Sequence, residues 1–196
     1  MFHREKMLHL KGKKISSKGR KGLSNIVGSL LMIVLTIVAA LLLGHFAFGL
    51  FSSNSHNAQI SVSDVSLINP GGTGLQAGGS GVSVALTITD TGNDPVNITS
   101  ITIGGVTFQN PTLGGKTTYV TIQPGQSVSF TATITGATTG LTGTLTSSSG
   151  ITYSSGTNAV SSSTFNVGST VVVQVSAIDI VTHQALATQI STVVQD

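Results

Sequence analysis

Residues 82–89 read VSVALTIT and residues 128–135 read VSFTATIT. In the first, Val82, Val84, Leu86 and Ile88 alternate with Ser83, Ala85, Thr87 and Thr89; in the second, Val128, Phe130, Ala132 and Ile134 alternate with hydroxyl residues. A period of two sends apolar side chains to one face and polar ones to the other, so both read as strands with one face buried and one wet. Working outward, Val96 and Ile98 are followed by Ile101 and Ile103, a switch of parity that asks for a bulge near Thr99–Ser100. Ile103-Gly104-Gly105-Val106 is a two-residue hairpin signal, because glycine accepts the positive φ of the tight turns that suit twisted strands. Val171 to Val181 is apolar on both parities, as expected of a central strand, and Leu186, Ile190 and Val194 supply a last one. Gly136 to Phe165 is dominated by Ser, Thr and Gly around Leu141, Leu145, Ile151 and Tyr153, and reads either as polar edge strands with long turns or as a glycosylated surface. Seven to nine short strands with turn signals between them point to one antiparallel sandwich.

Upstream of Gln59 the pattern is different. No charged residue occurs between Lys21 and Asp64, and Ile26 to Gly44 reads IVGSLLMIVLTIVAALLLG, with apolar character continuing to Phe51. A helix from Leu23 to Phe51 would be about 40 Å long at 1.5 Å per residue, enough to cross a hydrocarbon core of roughly 30 Å with tilt or overhang. The fold class is therefore α+β overall: a long N-terminal apolar helix, then an antiparallel β-sandwich. Only 8% of the 196 residues are charged, and the formal net charge is +3. The basic charge is confined to Arg4, Lys6, Lys11, Lys13, Lys14, Lys18, Arg20 and Lys21 beside Glu5, whereas the rest of the chain sets Lys116 against Asp64, Asp90, Asp94, Asp179 and Asp196. A basic tail can serve nucleic acid; placed directly before an uncharged apolar run it instead orients a membrane segment, leaving itself in the cytoplasm and the later residues outside. No nucleic-acid partner is expected. Cysteine is absent, so no disulfide or thiolate chemistry is available.

Arg20-Lys21-Gly22-Leu23-Ser24 stands at the junction of leader and helix. A Lys/Arg-rich leader that ends in a basic residue plus Gly and runs straight into a long uncharged helix resembles the class III signal peptide of archaeal type IV pilins. The resemblance implies cleavage between Gly22 and Leu23 by a membrane prepilin peptidase that recognises Arg20 and Lys21, leaving a subunit that begins LSNIVGSLLM. It implies three segments: a cleaved leader over 1–22, a membrane and filament-core helix over 23–53, and an extracellular β-sandwich over 54–196. Bacterial members carry glutamate at the fifth mature position, where this chain has Val27, so the archaeal branch fits better. Archaellins share the leader, and an uncut signal anchor fits its charges, so both remain open. Ser24, Gly28, Thr36, Ala40 and Gly44 form an i, i+4 series of small residues interrupted at Met32, of the kind that lets helix backbones approach closely in lipid. Leu86 to Ile98, with its Asn-Asp-Pro-Val turn, and Ile122 to Phe130, with its Pro-Gly turn, resemble immunoglobulin-like modules of prokaryotic surface proteins.

Candidates for chemistry are few. Asp90-Thr91-Gly92 has the triplet of an aspartic protease, but that mechanism needs two such aspartates and there is no second copy; Gly92-Asn93-Asp94-Pro95 makes it a turn. Asp90 and Asp94 fall short of a calcium loop. His45, His56 and His183 have no partner at metal-ligand spacing, and no G-x-S-x-G elbow is present. No enzyme, metal or cofactor is expected. Asn97-Ile98-Thr99 is a glycosylation sequon, and the alternation Val96-Asn97-Ile98 sends Asn97 to the wet face. The expected function is a structural subunit of an extracellular filament for adhesion or surface contact. Its partners would be itself as a helical homopolymer, the peptidase, an assembly ATPase and membrane platform, and the membrane before assembly. A membrane-tethered immunoglobulin-like binding protein is the alternative from another class, and a tethered hydrolase the third.

Overall fold

The computed structural model describes residues 18–54, 56–72 and 74–196, with side chains described from Ser24 onward except 52–54. The chain divides into two compact units, Met1–Ser53 and Asn54–Asp196.

The first unit is a helix, α1 (Lys18–Asn54), of 37 residues. It begins five residues before the expected Leu23, because a helix that already has many turns extends at modest cost through Lys18, Arg20 and Lys21 even with Gly19 and Gly22 among them. Its core, Ser24–Phe51, contains an 18-residue stretch with a mean hydropathy of 2.9 and none of it buried, and is long and apolar enough to cross a membrane.

The second unit is built from eleven strands: β1 (Ile60–Ile68), β2 (Val82–Asp90), β3 (Val96–Ile103), β4 (Val106–Leu113), β5 (Lys116–Thr117), β6 (Val120–Ile122), β7 (Ser127–Ala137), β8 (Gly140–Ser147), β9 (Thr152–Ser155), β10 (Thr170–Asp179) and β11 (Ala185–Val193), with a 3₁₀ turn at Ser162–Phe165. Nine of them form one antiparallel path, β1-β2-β7-β8-β9-β4-β3-β10-β11, with β5 on β4 and β6 on β3. The path nearly closes: Ile68 bridges Gln195 in parallel, and backbone bonds join Asn69 N–H to Gln195 O and Gln195 N–H to Leu67 O, both at 2.8 Å. The domain is thus a barrel-like sandwich with a single wrapped sheet, which removes most of the unpaired edge that an open sheet would present.

The alternation read from the sequence decides the interior. Val82, Val84, Leu86 and Ile88 are buried, and β2 pairs in register with β7 from Val82↔Ile134 to Thr89↔Ser127. The parity switch in β3 is resolved by one extra residue: Ser100 pairs with Ser176 and Ile98 with Ala177, leaving Thr99 bulged with its hydroxyl donating to Ser176 O at 3.0 Å. All four isoleucines and valines on either side of it, Val96, Ile98, Ile101 and Ile103, are consequently fully buried. The hairpin forms at Gly104 and Gly105, with φ of 56° and 88°, the positive values that both central positions of a type I′ turn require.

Two expectations are corrected. The described residues form eleven strands where seven to nine were expected, because the short β5 and β6 pair beside the main path. The Ser/Thr/Gly-rich stretch does not supply edge strands: β8 lies between β7 and β9, and β9 between β8 and β4. Leu141, Leu145, Ile151, Tyr153 and Phe165 are all buried, so the few apolar residues there suffice because alternation needs only every second position. The stretch 171–181 is paired on both sides, but only one of its faces is interior. Val172, Ile178, Ile180 and Val181 are exposed, and the strand ends at Asp179, where the chain turns.

Tyr153 ties three strands together from the core. Its ring packs edge-on against Phe130 with centroids 6.1 Å apart, its hydroxyl donates to Ile98 O at 2.8 Å, and it accepts from Val120 N–H at 3.2 Å. Burial pushes its pKa up to about 12, so it remains a neutral donor.

Candidate functional site

The chemistry of α1 is that of its surface. Ile26, Leu30, Ile33, Ile37, Leu41 and Leu43 are each more than half exposed, as are Phe46, Phe48, Leu50 and Phe51 near its C-terminal end. A helix apolar on every side is one that requires an apolar surrounding, whether lipid or other helices. The Thr36 hydroxyl donates to Ile33 O at 2.8 Å, which satisfies it within the helix and lets it sit in such a surrounding. A Cβ placed on Gly28 or Gly44 would touch nothing within 4 Å, so neither glycine is required by the helix itself. The series Ser24, Gly28, Thr36, Ala40 and Gly44 does not lie on a single face. Each step of four residues advances the position about 40° around an ideal helix, and from Ser24 to Gly44 the stripe winds about 200°. Small surface is therefore offered to more than one side along the length. At the junction, Arg20, Lys21, Gly22 and Leu23 belong to α1, and their side chains lie outside the described residues.

On the domain, Asn97 lies on the outer face of β3 between buried Val96 and Ile98, partly exposed. Both polar groups of the sequon are engaged in the folded sheet: Asn97 Oδ1 accepts from the Thr121 hydroxyl at 2.7 Å, and the Thr99 hydroxyl is held by Ser176 O. A concavity on the outer face of β1, β2, β7 and β8 is lined by Ser66, Ser83, Thr131, Thr133, Thr144 and Thr146 with small apolar residues, and no ionisable group lines it. It offers hydroxyls without a base to activate them.

The ionisable groups gather elsewhere. Asp90 closes β2, fully buried, with Oδ1 accepting from Gly92 N–H at 2.8 Å and Oδ2 without a hydrogen-bond partner. This is the turn expected of Asp90-Thr91-Gly92. Burial raises the Asp90 pKa against the opposing Gly92 bond, and the carboxylates of Asp179 and Asp94 raise it further. Asp179 closes β10 and caps the following turn: its Oδ1 accepts from Val181 N–H at 2.7 Å and Thr182 N–H at 3.2 Å, and its Oδ2 accepts from the Thr182 hydroxyl. Burial pushes its pKa up, but these bonds and the neighbouring His56 outweigh it and hold it below the ordinary range. Asp94, nearly buried, takes His56 Nδ1 at 3.1 and 3.2 Å through its two oxygens. Among the described residues, no group of three or more His, Cys, Asp or Glu side chains is arranged to hold a metal ion.

Sequence reading found Asp90 and Asp94 as a turn but did not bring His56 or Asp179 to them. His56 is 38 residues from Asp94, a separation with no local signal. For Asp179 a signal existed: an aspartate followed three residues later by threonine is a side-chain-capped turn, masked by the apolar Ile180 and Val181. Compared with protein-family models and with curated proteins, the sequence matches none.

Proposed function

We propose that the chain is the structural subunit of an extracellular filament of the archaeal type IV pilin kind, serving adhesion or surface contact. The observation that carries this reading is the apolar span Ser24–Phe51, exposed along its whole length, in a chain whose β-domain already closes its own core. The domain has no need of the helix for stability, so the helix serves something outside the chain. Lipid covers it before assembly, and neighbouring helices cover it in the filament. A stripe of small residues that winds about the helix suits a core in which each helix meets several others. The leader ending Arg20-Lys21-Gly22 supports removal of the cytoplasmic charge by a prepilin peptidase, after which an assembly ATPase and membrane platform would stack the subunits. The β-domain lies outside the membrane and forms the sheath, and Asn97 carries a glycan only if modified before β3 pairs. The concavity without ionisable residues supports a passive role over a hydrolytic one.

The test has two parts. Mass spectrometry of the exported protein should find Leu23 as its first residue, and a terminus at Met1 or elsewhere in the leader overturns the reading. Replacing Gly28, Ala40 or Gly44 by leucine should then abolish filaments seen by electron microscopy while membrane insertion persists, since overpacking costs about 1–3 kcal/mol at each site and recurs in every subunit. A tethered binding protein would keep its anchor and its activity in all three variants.

A further inference from the structure

Immediately after α1 the chain runs along the Asp90–Pro95 turn. Thr91 N–H and Gly92 N–H both donate to Gln59 O, at 2.8 and 3.2 Å, and Asn93 N–H donates to Asn57 O at 2.6 Å. The approach is close enough to demand glycine: a Cβ on Gly92 would stand 2.3 Å from Asn57 O and 2.5 Å from Gln59 N. The turn is itself anchored on two other loops, with Gly125 N–H donating to Asp90 O at 2.9 Å and Ile180 N–H to Pro95 O at 3.0 Å. Among the described residues of the joining segment, His56 is the side chain that reaches into this turn's acids.

We propose that residues 56–59 are held by a protonation-sensitive latch, in which His56 grips the Asp94 carboxylate and the Asp90–Pro95 turn closes over the joining segment more tightly in mild acid than at pH 8. The charged groups around the imidazole come from two elements. The turn supplies Asp94 in direct contact and, behind it, buried Asp90; the β10–β11 turn supplies Asp179, which senses His56 electrostatically, and the exposed His183. The β6–β7 turn, Gln123-Pro124-Gly125-Gln126, contributes no ionisable group, and neither do Asn57, Ala58 and Gln59. Asp94 and Asp179 thus act directly on one imidazole, and Asp90 is coupled electrostatically to both of them. With the imidazole neutral, Nδ1 keeps a hydrogen bond to Asp94 but the acids stand uncompensated and repel one another. With it protonated, the contact becomes an ion pair that offsets the repulsion among the acids. The side chains of the pair are 44% and 10% exposed, so the gain is that of a partly screened pair. The latch does not depend on whether the chain polymerises; it sets how firmly the β-domain holds the segment by which it is joined to the helix.

Amide hydrogen exchange on the full chain in detergent micelles tests this at pH 5.5 and 8.0, with rates divided by the intrinsic rate at each pH. Protection of the Thr91, Gly92 and Asn93 amides should be about two- to fivefold greater at pH 5.5, the range for an ion pair this exposed. The Gly104 amide, bonded to Val172 O, serves as an internal reference and should not change. His56→Gln and Asp94→Asn should each remove the pH dependence, whereas His183→Gln should preserve it. Equal protection at the two pH values, or a dependence that survives His56→Gln, overturns the latch.

Discussion

Leu43 and Leu67 are the same residue in two opposite situations. Leu43, in the helix, is 71% exposed, and Leu67, at the end of β1, is completely buried. The β-domain buries most of its leucines internally by wrapping one sheet until its ends meet, whereas the helix leaves the large apolar side chains of Ser24–Phe51 uncovered. The hydrophobic effect acts on both, at about 25 cal/mol for each Å² removed from water. In the domain that free energy goes into folding; in the helix it remains available for insertion and association. A chain built this way has its packed core in one unit and its uncovered apolar surface in the other.

The sharpest way to break this comparison is to separate the two units. A chain beginning at Ser55 should be soluble, folded and monomeric on a sizing column, with a β-type circular dichroism spectrum, while the full chain should require detergent. Aggregation of the shortened chain without detergent would mean that the domain depends on the helix after all. Next in size is the leucine pair. Leu67→Ala should cost about 2–5 kcal/mol of domain stability in chemical denaturation, the range for a buried leucine with cavity formation. Leu43→Ala should leave the domain's unfolding midpoint where it was. Equal effects would show that the units do not fold independently.

Smaller effects sharpen the account of the domain. Tyr153→Phe removes the hydroxyl that bridges Val120 N–H and Ile98 O but keeps the ring against Phe130. It should cost about 1–3 kcal/mol, the penalty for leaving buried polar groups unsatisfied, and a value near zero would mean that water replaces the hydroxyl. The smallest effect is a dependence on pH. Asp90 has its folded-state pKa raised above the ordinary 3.8, so its stabilising contribution is complete below that value and is lost as pH rises through the raised one. Asp90→Asn retains an oxygen for Gly92 N–H and should therefore melt higher than the parent at pH 7 but not at pH 3. Asp179, with a lowered pKa, contributes in the opposite sense: its stabilisation is present above 3.8 and fades as pH falls. Asp179→Asn should be destabilised at pH 7 and approach the parent in acid. Thermal melts of both variants across that range check the two signs together.

Much of the domain was legible because strand periodicity is a local property. Alternation at 82–89 and 128–135 fixed which side chains are buried, the parity switch in β3 located its bulge to within two residues, and Gly104-Gly105 located a hairpin. The Ser/Thr-rich stretch was misread because low apolar content resembles an edge, although a strand with one wet face needs no more than Leu141, Leu145 and Tyr153 to be interior. Residues 171–181 were read as a central strand and β10 is one, paired on both sides, although Val172 and Ile178 on its outer face are exposed. The small-residue series in the helix was legible as a spacing of four. That it winds about the axis follows from the helical repeat, which a list of positions conceals.

The sequence alone determined the division of the chain, because charge and hydropathy act residue by residue: a basic leader, an uncharged apolar span and an alternating domain can be read without knowing what touches what. It determined the helix, and the buried faces of those strands whose alternation is clean, for the same reason. Only the tertiary structure decided the order of strands in the sheet, the near-closure of β1 on β11, and the meeting of His56, Asp90, Asp94 and Asp179 around one turn. Those depend on contacts between residues far apart in the chain, and the free energy that selects one pairing over another comes from the whole packed core and not from any segment of it.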